Sequence, residues 1–172
     1  LAGIVRAGGE PVIAQIKLAW WRDRLGEPAA SWPTGEPLLA LLARWPGDSR
    51  ALVALVDGWE MLLADALDPQ ALAAGRAAGW AALGGGESRV QRAAHAFALA
   101  DLALHLADGD EREAACAAAQ AADWQRPRLP RSLRPLLVLH GLAGRALRRG
   151  AGELLDGPGA LLCAVRLGIA GR

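Results

Sequence analysis

Apolar positions recur every three to four residues along most of this chain, and the apolar stretches are separated by Pro, Gly and Asp. A repeat near 3.6 belongs to helices that bury one face, whereas strands alternate in twos. The punctuation predicts where the helices lie. PVIAQIKLAWWRDRL has Pro11 at a first helical position and closes at Gly26. Pro37 opens LLALLARW, which stops at Pro46 and Gly47. Asp48 caps SRALVALVDGWEMLLADA, and Asp68 with Pro69 opens a helix running to Leu83. After the GGGE break, Ser88 starts SRVQRAAHAFALADLALHLA. Asp110 caps an Ala-rich helix ending near Ala122, and QRPRLP links it to a helix from Arg131 to Arg149. Pro158 to Ala170 is the last. The pattern predicts an all-α chain: a single-domain bundle of about eight helices over residues 1–172, with no internal repeat. The Gly-rich break is too short to act as a linker between domains.

The faces sharpen this reading. Helix 11–25 has two apolar arcs, Val12, Ile13, Ile16, Ala19 and Trp20 on one, Ala14, Leu18, Trp21 and Leu25 on the other. Trp20 and Trp21 are about 100° apart on a helix and cannot share a core. The helix is therefore sandwiched, or it shows one apolar face outward. The first arc is expected to face the core, which would bring Asp23 inward and require an Arg partner. In 49–66, Leu52, Leu55, Val56, Trp59, Leu62 and Leu63 share an arc, and Asp57, Glu60 and Asp65 fall outside it as solvated carboxylates. Helix 88–107 is apolar nearly all round, the mark of a central helix.

Composition excludes several classes. Basic and acidic residues nearly cancel, 19 against 18, so no bulk field commits the chain to nucleic acid. Uncharged runs reach only about ten residues, half of a membrane span. Arg6, Glu10 and Lys17 interrupt any leader-like apolar run; the first residue is Leu rather than Met, as after removal of a segment. Cys116 and Cys163 form no CxxC and read as buried reduced thiols in a cytoplasmic setting. A disulfide between them is the other reading.

Few residues suggest chemistry. Asp101, His105 and Asp108 share a stripe along helix 88–107 and one residue past it, at a spacing that suits His and carboxylate metal ligands. A hydrogen-bonded polar stripe, with an Asp101–His105 pair, fits the same spacing and is favoured. His95 and His140 read as core histidines with backbone partners. Nothing supports a catalytic triad, and the GGG at 84–86 lacks the Lys and preceding strand of a phosphate loop. From Trp124 to Gly152 there are seven arginines, among them Arg131, Arg134, Arg145, Arg148 and Arg149, and no acid. Such an end suits lipid phosphates or an acidic protein; solvated helix ends, with Arg favoured by the dipole, fit it as well. No aromatic interleaving accompanies these arginines, so nucleic acid is not expected. Trp21 and Trp32 are candidates for a wet apolar edge, Trp21 within reach of Lys17 and Arg24.

Three segments in order carry a resemblance: GGEPVIAQIKLAWWRDRL, then LVDGWEMLLA, then LPRSLRPLLVLHGLAGRALRRG with ALLCAVRLGIAGR. Together they resemble the squalene/phytoene synthase superfamily, in particular its non-classical branch of complex I assembly factors. The resemblance covers most of a chain that is shorter than typical members. It implies a shortened isoprenoid-synthase-like fold around an apolar cavity. Active members carry two D-x-x-x-D motifs that hold magnesium on a substrate diphosphate. Here LAGIVRAGGE contains no Asp, and Arg112 stands four residues after Asp108. The resemblance therefore implies no catalytic residues, no metal and no cofactor. The expected role is that of a catalytically silent protein binding an apolar lipid or isoprenoid, a partner protein, a membrane surface or a second copy of itself. Trp20, Trp21, Trp59, Phe97, Asp101, His105 and Asp108 are its candidate ligand-binding residues. Arg131, Arg134, Arg145, Arg148 and Arg149 are candidates for an anionic partner. An active prenyl transferase with a non-standard, magnesium-dependent site and a plain helical interaction module are the alternatives.

Overall fold

The computed structural model describes residues 1, 4, 10–107 and 109–171. Among them every regular element is helical: α1 (Pro11–Gly26), α2 (Pro37–Leu42), α3 (Val53–Glu60), α4 (Pro69–Leu83), α5 (Ser88–His105), α6 (Asp110–Ala121), α7 (Arg134–Arg149) and α8 (Pro158–Ala170). The chain divides into two compact units, Leu1–Gly85 and Gly86–Arg172. The division falls inside the GGGE break.

In the N-terminal unit α3 packs chiefly on α4, and α1 packs on α3. The α3–α4 crossing is a backbone contact. A Cβ on Gly75 would lie 2.4 Å from the Ala54 carbonyl oxygen and 2.6 Å from the Gly58 Cα. Only glycine lets two helix backbones approach so closely. Asp68 caps α4, its carboxylate accepting from the Gln70 and Ala71 amides at 2.9 and 3.1 Å. Asp48 caps a 3₁₀ turn instead, Ser49–Leu52, through the Arg50 amide at 2.9 Å. The stretch expected as one helix over 49–66 is thus a 3₁₀ turn, α3 and a second 3₁₀ turn, Met61–Leu63.

The α1 expectation is corrected in one respect. Ala14, Leu18 and Leu25 are buried, whereas Val12, Ile13, Ile16 and Trp20 are exposed. The helix shows one apolar face outward, and it is the Val12–Trp20 arc, not the other. Asp23 on that arc is exposed rather than turned to the core. The choice is set by α3: Leu18 and Leu25 close a cluster with Leu52 and Val56.

In the C-terminal unit α5 packs on α6 and α7, and α7 packs on α8. α5 is central as expected: ten of its residues are buried, from Val90 to Ala103, and six of them are alanine. α7 and α8 approach where α7 has no side chain, since a Cβ on Gly141 would lie 2.3 Å from Leu167 Cδ1. The two thiols are free, but half-buried rather than buried. No helix among the described residues is long and apolar enough to cross a membrane.

Candidate functional site

The N-terminal unit holds an apolar cleft of about 420 Å³. Trp21 and Leu25 come from α1, Leu38 and Leu42 from α2, and Leu52 and Trp59 from the 3₁₀ turn and α3. All of its lining side chains are leucine or tryptophan. The volume lies within the range of small-molecule sites.

Ionic and aromatic contacts hold the two tryptophans. Arg22, next to Trp21, donates from Nε to Asp57 Oδ1 at 2.8 Å and pairs with Glu60, next to Trp59. Asp57 and Glu60 are therefore ion-paired, not merely solvated as their pattern suggested. Glu60, then Asp57, raise the Arg22 pKa above its ordinary value. All three side chains keep about a third or more of their exposure, so the clasp orients α1 on α3 and adds little stability. On the other side, the Arg76 guanidinium sits 5.0 Å from the Trp59 ring centroid, a cation–π contact from α4. Trp20 packs edge-on against Trp21, with ring centroids 5.0 Å apart. Trp32 donates its indole N–H to the Arg24 carbonyl at 2.5 Å. The second tryptophan of the adjacent pair is thus the cleft wall, and the first is the exposed plate behind it.

The remaining candidates lie in the C-terminal unit. Phe97 is 6 % exposed, within the α5 core. His105 is exposed and donates from Nδ1 to the Asp101 carbonyl at 2.7 Å, with the Asp101 carboxylate 3.4 Å away. This is the hydrogen-bonded pair that the i, i+4 spacing offered. Asp108 lies outside the described residues. Among those described, no three His, Cys, Asp or Glu side chains are arranged to hold a metal ion.

A second, polar cleft of about 440 Å³ opens between α7 and α8. Arg145, Arg148, Arg149 and Arg166 line it with Leu162 and Cys163. Arg145 donates to the Asp156 carbonyl at 3.0 Å. Arg134 is occupied elsewhere: its Nη1 donates to the Gly168 and Ile169 carbonyls at 2.9 and 2.6 Å, closing the last turn of α8. Arg131 is exposed outside this cleft. Arg166 escaped the sequence reading because it is a single cation in an apolar helix; α8's spacing from α7 was the only clue to it.

His140 on α7 departs from expectation. It is 4 % exposed and stacks at a tilt on Trp124, with centroids 5.0 Å apart, but its Nε2 has no hydrogen-bond partner in the protein. Burial lowers its pKa; Asp123 opposes that shift and Arg148 adds to it. Burial also lowers the pKa of half-buried His95.

Compared with known proteins, the chain matches no family model, no curated protein and no solved structure.

Proposed function

We propose that this chain is a catalytically silent protein of the squalene/phytoene synthase kind, and that its N-terminal unit holds a lipid or isoprenoid in the Trp21–Trp59 cleft. One observation carries the reading: a cleft of about 420 Å³ whose lining is entirely leucine and tryptophan. Such a wall offers a ligand dispersion and desolvation and nothing else. Burying about 300 Å² of hydrocarbon at roughly 25 cal/mol/Å² is worth about 7 kcal/mol before association costs, so binding is expected to be weaker than micromolar. Catalytic silence rests on sequence, where Arg112 stands in place of the second carboxylate of the downstream motif. A cytoplasmic setting at the edge of a membrane accords with two free thiols and an apolar cargo.

The test is a titration with farnesol followed by tryptophan fluorescence. Trp59→Ala weakens binding at least tenfold, and Trp32→Phe, outside the cleft, leaves it unchanged. Failure of farnesol to bind, or equal affinity in the Trp59 variant, removes the reading. Pyrophosphate release from farnesyl diphosphate with magnesium at high protein concentration would restore the active-transferase alternative.

The outward face of α1 favours a second reading, a protein partner or a second copy of the chain. Val12, Ile13 and Ile16 are 59, 48 and 63 % exposed. Concentration-dependent sedimentation that Ile16→Glu abolishes supports it, and a monomer at all concentrations restricts it to a foreign partner.

A further inference from the structure

The C-terminal unit carries an independent surface in which charge and apolar exposure adjoin. Along α8, Leu161, Leu162, Val165 and Ile169 are 63, 71, 49 and 73 % exposed. At about 100° per residue they occupy one arc of roughly 100°, opposite the buried Ala160 and Leu167. A ridge this apolar is costly in water unless something covers it.

The neighbouring charge says what would. Leu162 belongs both to this ridge and to the wall of the arginine cleft, where Arg145, Arg148, Arg149 and Arg166 converge with no carboxylate among the lining. Residues 124–171 hold eight arginines against two acids, Glu153 and Asp156. Arg148 and Arg166, with Cys163, also line an adjoining pocket of about 170 Å³ that holds Arg126 and His140, whose buried Nε2 lacks a partner. Four guanidinium groups beside a hydrocarbon ridge match one kind of surface, where phosphates lie beside acyl chains.

We propose that α8 and the arginine cleft dock this unit on an anionic phospholipid membrane, Leu161, Leu162, Val165 and Ile169 entering the acyl boundary while Arg145, Arg148, Arg149 and Arg166 take headgroup phosphates. Neither half is enough alone. Each arginine near an anionic leaflet adds an attraction that salt screens and that gives no depth. The ridge gives depth but no preference for charge.

The experiment is flotation of the full chain with vesicles. Binding to phosphatidylcholine containing about 30 % phosphatidic acid should exceed binding to phosphatidylcholine alone at least tenfold, and fall as salt rises. The pair Arg148→Glu and Arg149→Glu, both exposed, removes the preference with helicity by circular dichroism unchanged. Should charge reversal unfold the chain, Arg148→Gln with Arg149→Gln answers by the same assay. Leu162→Asn with Ile169→Asn lowers binding about tenfold even to anionic vesicles. Equal partition onto neutral and anionic vesicles, or full binding by the arginine variants, overturns the proposal. So does displacement by millimolar inorganic phosphate at constant ionic strength, which would mark a free-phosphate site.

Discussion

The two units solve the same problem, a helical core without tyrosine and with a single phenylalanine, in opposite ways. The N-terminal unit takes six of the seven tryptophans and crosses α3 and α4 at glycine. The C-terminal unit fills its centre with alanine around Val90, Phe97, Leu99 and Leu102. Tryptophans bring large rigid plates to a core, whereas alanine faces let helix backbones approach closely. The apolar cleft is found among the tryptophans. Charge divides as well: seven basic against nine acidic residues in the first unit, twelve against nine in the second, which also holds all three histidines. The leucine–tryptophan cleft and the arginine cleft thus separate along the chain.

The sharpest way to break this contrast is at the glycine crossing. Gly75→Leu pushes a side chain into the Ala54 carbonyl and the Gly58 Cα, which are backbone and cannot step aside. A loss of about 3 kcal/mol or more in urea denaturation is expected. A loss below about 1 kcal/mol would mean that the α3–α4 crossing is not a close contact. In the other unit the matching test removes volume. Leu99 is 1 % exposed, and Leu99→Ala should cost about 3 kcal/mol, since alanine neighbours have little side chain to relax into the void. A much smaller cost would show that this core can collapse and is not uniformly filled.

Smaller effects test what the sequence itself announced. Asp68 was readable as a cap because capping is local: a short acceptor, then proline, then free amides two and three residues on. Asp68→Ala should cost about 1 kcal/mol, measured in the same denaturation series. The same local logic made α4, α5 and α8 legible almost to the residue. What pattern could not supply was long-range. Both arcs of α1 are apolar, so only the partner helix decides that Leu18 turns in and Ile16 out. Asp57 and Glu60 looked solvated because their cation, Arg22, lies 35 and 38 residues away. Likewise Trp21 and Trp59 were individually conspicuous, but nothing local paired them or brought Leu38 and Leu42 to the same cleft. Nothing in the spacing marked the 3₁₀ turns that flank α3.

The smallest effect is a slope rather than a step, and it belongs to the C-terminal unit alone because the other has no histidine. Burial disfavours the imidazolium of His140 and so lowers its pKa; Arg148 works in the same direction and Asp123 against it. In the unfolded chain the same group takes a proton near pH 6.5. Below that point the unfolded state binds more protons than the folded one, so stability falls with falling pH until the folded ring titrates too. Near pH 7.5 the contribution is almost unchanged, and it is lost progressively as acid is added. Between about pH 7.5 and 5.5 the urea midpoint should therefore drop, and His140→Leu should flatten the drop. What remains is carried by His95, shifted the same way by burial. An unflattened slope would mean that the buried ring reaches a proton partner in the folded state, which is what an anion held against its Nε2 would allow. Repeating the series with anionic vesicles present therefore joins this slope to the arginine cleft.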